Sequence, residues 1–86
     1  MIYRVEYLGI VVREDIPALP KAIKARIRRE IEHKLTTRPV EFGKPLRYSL
    51  KGARRLRVGD YRVVYVIEAA RVTIVKIGHR KEVYKK

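Results

Sequence analysis

The sequence predicts a small α+β domain. One strand and two helices precede a three-strand meander, giving a β-α-α-β-β-β order, with both helices on one face of a mostly antiparallel four-stranded sheet. Three observations carry this expectation. Apolar and polar residues alternate over residues 2–8, the period of a strand. Ile23, Ile27, Ile31 and Leu35 recur every four residues, the stripe of an amphipathic helix. Three β-rich runs, 54–58, 61–68 and 71–77, are separated only by Gly59-Asp60 and by Ala69-Ala70, connections short enough for hairpins. The 86 residues make one domain, 1–86. A chain of that size buries only about 60–65% of the surface its unfolded state exposes, so its core is small.

In the first strand Tyr3, Val5 and Tyr7 share one side, Arg4 and Glu6 the other, and Gly9 follows. A short helix is expected over 13–18, where Glu14 and Asp15 suit a first turn and Pro17 and Pro20 limit its length. Pro20 suits the first position of the second helix. Ile16 and Leu19 extend the isoleucine stripe backwards, Glu30 and Lys34 form an i,i+4 pair on the outer face, and Thr36, Thr37 and Pro39 end the helix. Residues 40–53, with Gly43, Pro45 and Gly52, read as loop. The run 61–67 is apolar on both faces, as in a central strand covered on both sides, and Tyr61, Val63 and Tyr65 form its core side. The tail 80–86 is basic and long enough for one helical turn.

Composition narrows the chemistry. Cysteine is absent, which rules out disulfide scaffolds, thiolate nucleophiles and cysteine zinc sites. His33 and His79 are the only histidines, so neither a metal nor a cofactor is expected, and no Gly-rich phosphate loop, HExxH or Ser/His/Asp pattern occurs. No apolar run approaches the ~20 residues of a membrane span. The first residues lack the shape of a signal peptide, and the expected location is the cytoplasm.

Charge points to the partners. Lys and Arg number 22 against 9 Asp and Glu, a net +13. The excess is uneven: residues 1–43 hold nine basic and six acidic side chains, whereas residues 44–86 hold thirteen and three. Such a field favours nucleic acid, an anionic membrane surface or an acidic protein. Within the second half, alternation sets Arg55 and Arg57 on one face and Leu56 and Val58 on the other, with Arg54 on the core side in a structural role. The Gly59-Asp60 turn returns Arg62 beside Arg57, and residues opposite one another in a hairpin lie about 5 Å apart. Arginines that close repel one another unless an anion lies between them, and guanidinium grips phosphate in a bidentate fork. Arg80, at the end of the third meander strand, reaches the same cluster, and Tyr84 lies four residues beyond it. The plain alternative for each is a solvated surface group. His79 falls on the opposite face from Arg80, and His33 on the polar side of the long helix.

The segments Leu-Arg-Val-Gly-Asp-Tyr-Arg-Val-Val-Tyr (56–65) and Gly-His-Arg-Lys-Glu-Val-Tyr (78–84), with the size, charge and element order, resemble the RelE/ParE superfamily of toxins from type II toxin–antitoxin pairs. The resemblance spans nearly the whole chain and favours the RelE branch, because Arg80 with Tyr84 matches its tail pattern. It implies a ribosome-dependent, metal-independent endoribonuclease that cuts mRNA in the decoding site and stops translation. By that resemblance Arg62, Arg80 and Tyr84 are catalytic and Arg55 and Arg57 hold RNA, while His79, by the chemistry of an imidazole, is a second candidate acid. The branch often has lysines where this chain has Arg55 and Arg57. Arginine keeps its proton at any usable pH, so proton transfer falls to Tyr84, to His79, or to the ribosome and RNA. Alanine at Arg62 or Arg80 is expected to abolish cleavage and leave the fold intact.

The resemblance also implies a cognate acidic antitoxin, RelB-like, that masks the basic face by a helix in a groove or by an added strand. The free toxin is expected to be a monomer and to enter a higher assembly with its antitoxin. Two other expectations compete: a ParE-like, non-nucleolytic toxin acting on DNA gyrase, and an inactive relative that binds RNA or ribosomes by charge alone.

Overall fold

A computed structural model describes residues 2–46 and 52–83. They form β1 (Arg4–Tyr7), a π-helical turn (Val11–Asp15), α1 (Lys21–Glu30) running into a second π-helical turn (Ile31–Leu35), α2 (Pro39–Phe42), β2 (Lys44–Pro45), β3 (Arg54–Val58), β4 (Tyr61–Glu68), β5 (Arg71–His79) and α3 (Arg80–Val83). The strands make one sheet in the order β1-β5-β4-β3-β2. β2 to β5 pair antiparallel, while β1 pairs parallel with β5. The α+β class and the strand–helix–meander order are as expected.

The sheet has five strands rather than four. Lys44 and Pro45 pair with Arg55 and Arg54 inside the segment read as loop, just after the single turn of α2. Two strand residues and four helical ones are too few to show a period. The first helical segment also starts earlier than expected, at 9–15 instead of 13–18. Asp15 is therefore not in a first turn. Its carboxylate accepts the Ile77 N–H at 2.9 Å and meets Lys76 Nζ at 3.3 Å. That contact covers the stretch of β5 that the shorter β1 leaves unpaired. Pro20 caps α1 from outside, with ψ 146°, rather than opening it, and β5 continues through His79, two residues past the expected end.

The isoleucine stripe explains the break from α to π geometry. A spacing of four residues drifts by about 40° per step on a helix of 3.6 residues per turn. A π-helical turn, whose hydrogen bonds reach one residue further, takes up that drift. Ile27, Ile31 and Leu35 all stay in the core as a result. Thr37 Oγ1 then donates to the His33 carbonyl at 2.8 Å and helps end the helical run.

Helices and sheet meet on one face. There Leu56, Val58, Val63, Tyr65 and Ile74 pack against the stripe. Tyr65 is wholly buried, and its hydroxyl donates to the Pro39 carbonyl at 2.6 Å. Gly43 makes that possible, since a Cβ there would lie 1.6 Å from the Tyr65 oxygen. Burial raises the Tyr65 pKa above its ordinary value of 10.0, against the lowering effect of Arg54. Arg54 is structural, as its place in the alternation suggested: its Nη2 donates to the Val40 and Gly43 carbonyls at 2.8 and 2.9 Å.

Candidate nucleic-acid interface

Leu56 and Val58 point into the core, so Arg55 and Arg57 occupy the face of β3 turned away from the helices. The tight turn Gly59-Asp60 needs a left-handed residue, which Gly59 supplies with φ +60°. Pairing then sets Arg57 directly opposite Arg62, and Arg62 opposite Gly78 on β5. The sequence-predicted neighbours Arg57 and Arg62 are thus brought together. Arg55 is half-buried and donates to the Pro45 carbonyl of β2 at 3.2 Å, which ties it to the sheet edge.

Arg62 differs from its neighbours. It is only 8% exposed, and its Nη1 donates to the Gly59 and Tyr61 carbonyls, each at 3.0 Å. The side chain that faces the open sheet also braces the hairpin turn. Arg57, by contrast, is exposed.

Arg80 reaches the same turn from the other side. Its backbone N–H donates to the Asp60 carbonyl at 2.8 Å as β5 ends and α3 begins, and its side chain is exposed. α3 folds across Gly78, with Glu82 Oε2 and Val83 Cγ2 lying 3.5 and 3.6 Å from where a Cβ of that residue would sit. Tyr84 follows directly and lies outside the described residues.

His79 sits on the helix side of the sheet, where it meets Tyr61 edge-on at 5.4 Å. Its Nδ1 accepts the Lys81 N–H at 3.2 Å. That face is the one expected from the alternation, and it separates the imidazole from Arg57 and Arg62. His33 is exposed, with its carbonyl rather than its ring engaged.

Among the described residues the ion pairs are Arg28–Glu32, Lys34–Glu30, Arg38–Glu41, Arg71–Glu68 and Lys76–Asp15. None involves Arg57, Arg62 or Arg80, so among the described residues the arginines around the turn form no ion pair. No three His, Asp or Glu side chains among the described residues converge to hold a metal ion. What the arrangement can do is neutralise and orient an anion that approaches the β3–β4 tip.

One basic residue at this tip was not anticipated. Arg26 reaches from α1 to the turn, and its Nη1 lies 3.2 Å from where a Cβ of Gly59 would sit. A sequence signal existed: Arg26 lies three residues after Ile23 and one before Ile27, on the flank of the apolar stripe opposite Lys24.

A second feature lies on the far side of α1. A groove of about 800 Å³ runs between α1 and the β1 side of the sheet, lined by Tyr7, Ile16, Leu19 and Ile31 and by the charged Lys21, Lys24, Arg28 and Glu32. The Tyr7 phenol there has a raised pKa, first through burial and then through Glu32, with Arg28 opposing.

Residues 2–84 match the family described as the ParE toxin of the type II toxin–antitoxin system parDE. The chain is 40% identical over 73 residues to Toxin RelE of Mycobacterium tuberculosis, covering 83% of this chain and 75% of that one. It is 34% identical over 76 residues to Toxin RelG of the same organism, covering 86% and 87%. The fold is similar to a chain of the toxin–antitoxin complex RelBE2 from M. tuberculosis, with a TM-score of 0.83 and 33% identity over 93% of this chain and 100% of that one. It is also similar to a chain of the archaeal RelE–RelB complex from Pyrococcus horikoshii, with a TM-score of 0.66 and 30% identity over 93% and 97%.

Proposed function

This chain belongs to the RelE/ParE superfamily of toxins from type II toxin–antitoxin systems, and from that premise we propose that it is a RelE-type endoribonuclease that cuts mRNA in the decoding site of the ribosome. The observation that carries the reading is the meeting of Arg57, Arg62 and the backbone of Arg80 at one two-residue turn, with no ion pair to any of the three among the described residues. The reaction is an attack of the mRNA 2′-hydroxyl on the adjacent phosphorus. The 2′ oxygen loses its proton, the bond to the 5′ oxygen breaks and that oxygen takes a proton. A 2′,3′-cyclic phosphate and a 5′-hydroxyl result, and no metal is needed.

Arg62 and Arg80 stabilise the charge that builds on the phosphorane-like transition state, as preorganised donors do. Arg62 suits this because its own bonds to the turn fix the guanidinium, leaving Nε and Nη2 to donate. Arg55 and Arg57 hold the flanking backbone and keep the scissile bond in line. Tyr84 is the first choice for proton transfer or for stacking on a base. His79 is the reserve acid. Its distance from the arginine face and its bond to the Lys81 N–H suit it better to holding the turn that carries Arg80.

The cytoplasm is the matching location. The partner in the off state is a RelB-like antitoxin. Apolar and acidic side chains on it would match the groove beside α1, which is apolar within and carries more basic than acidic residues around it.

Primer extension on a defined mRNA, with and without programmed ribosomes, tests the reading. Cuts at the decoding-site codon only when ribosomes are present are the expected result. No cuts in either case, together with inhibited supercoiling by purified DNA gyrase, would replace the reading with the ParE-type one, which the matching family description favours.

A further inference from the structure

The tip of the β3–β4 hairpin gathers arginines from three separate elements. Arg62 of β4 bonds to the Gly59 carbonyl, and Arg80 at the start of α3 bonds to that of Asp60. Arg26 of α1 rests its guanidinium against Gly59 itself. The φ of +60° at Gly59 disfavours a side chain, and a Cβ there would lie 3.2 Å from Arg26 Nη1. Arg26 is exposed and makes no ion pair or hydrogen bond with the described residues, although Glu30 lies one turn along the same helix. Glu30 instead pairs with Lys34 at 2.9 Å, and Asp60, the acid of the turn, pairs with no cation among the described residues. An arginine carries about 2 kcal/mol of rotamer entropy. At the turn, with no hydrogen bond or ion pair among the described residues, it has that freedom to give up to a phosphate.

We infer that Arg26 is a further RNA-contacting residue, one that grips a backbone phosphate beyond the scissile one on the helix side of the β3–β4 tip. The inference rests on the RNA-cleaving reading above. It extends the phosphate track from the open sheet face, over the turn, onto α1. The strand then bends around the hairpin tip instead of running flat along the sheet. Arg26 is a binding residue here and touches no reacting atom, so its loss acts on KM and not on kcat.

Arg26→Ala tests this, with Lys24→Ala as the control that removes the same charge from the other flank of the same helix. Two readouts are needed. One is cleavage of programmed ribosomes, resolved into kcat and KM. The other is the salt dependence of binding to ribosomes programmed with an mRNA whose 2′-deoxy cut site cannot react. Arg26→Ala should raise KM on the order of tenfold, the worth of one charge-assisted hydrogen bond, with kcat within about twofold. It should also flatten the salt slope by about 0.7, the loss of one phosphate contact on a single strand. Lys24→Ala should move neither by a comparable amount.

Equal effects of the two variants, or none from Arg26→Ala, would overturn the inference and leave the nuclease reading standing. If the wild-type chain binds but does not cut, while Arg26→Ala still flattens the slope, the phosphate contact holds and the nuclease reading fails. A wild-type chain that neither binds nor cuts overturns both.

Discussion

Arg62 and Arg80 are assigned the same chemical task, yet they are held in different ways, and replacing each with alanine should separate activity from stability. Arg62 is 8% exposed and donates two 3.0 Å bonds to the carbonyls of Gly59 and Tyr61. Removing it strips a half-buried turn of both donors. Water replaces part of the loss at these half-buried carbonyls, so the cost is about 1–3 kcal/mol. For a domain of this length that lowers the melting temperature by about 5–20 °C. Arg80 is exposed, and its bond to Asp60 comes from the backbone, which alanine keeps. Arg80→Ala should therefore melt within about 4 °C of the wild type, the usual range for a surface change. Both variants should lose cleavage in the primer-extension assay. The assays are thermal and urea unfolding of the purified chains beside cleavage on the same preparations. A loss below about 0.5 kcal/mol for Arg62→Ala would refute the bracing role, as would an equal loss for Arg80→Ala. The two variants thus put the expectation of an intact fold to unequal tests, because Arg62 bonds to the turn through its side chain and Arg80 through its backbone.

Gly43→Ala should be among the more damaging single-methyl changes in the chain. Its Cβ would fall 1.6 Å from the Tyr65 oxygen. Either the phenol leaves its bond to Pro39 or the 39–43 segment shifts, at about 2–4 kcal/mol by urea unfolding. A neutral outcome would show that this packing is looser than described. Tyr65→Phe should cost about 1 kcal/mol at neutral pH and change the alkaline limb of stability. The buried phenol is held neutral and its folded pKa is raised, so its contribution is complete below the unfolded value of 10.0. That contribution is lost as pH rises through the folded pKa. The gap between wild type and Tyr65→Phe should therefore narrow above pH 10.0, and a constant gap across that range would contradict the assignment.

The meander was legible because its signals are local and agree with one another. Leu56 and Val58 alternate with Arg55 and Arg57, and a Gly-Asp pair separates two β-rich runs. Register then follows from the turn, which places Arg57 opposite Arg62. The helix stripe was legible as a stripe. Its spacing of four, rather than a mixture of three and four, was also the mark of the π-helical turn over Ile31–Leu35. The parts that escaped depend on tertiary contacts. Lys44 and Pro45 become a strand only because Arg54 and Arg55 lie beside them. Asp15 looked like a helix-capping acid and instead serves a strand 62 positions away. The reach of Arg26 to Gly59 needs the layer of helices to be in place before it has meaning. The brace that Arg62 makes on the turn is not legible either, because alternation gives the face of a side chain and not what its end bonds to.

The unequal lengths of β1 and β5 bear on how this sheet meets other chains. A sheet edge with bare amides invites another strand, and proteins blunt such edges in several ways. At β2 the described edge is two residues long and includes Pro45, which has no amide hydrogen to offer. Beyond β1 the amide of Ile77 is already taken by Asp15, and Lys76 adds a charge at the same place. The outer rim of β1 remains, four residues between the exposed Ile2 and Leu8. The approach beyond β1 is thus closed by the chain itself and Pro45 narrows the one at β2, while residues 56–58 of β3 have no paired neighbour on that side among the described residues. Among the described residues, a strand-adding partner meets short rims, each with its own register, rather than one long bare edge.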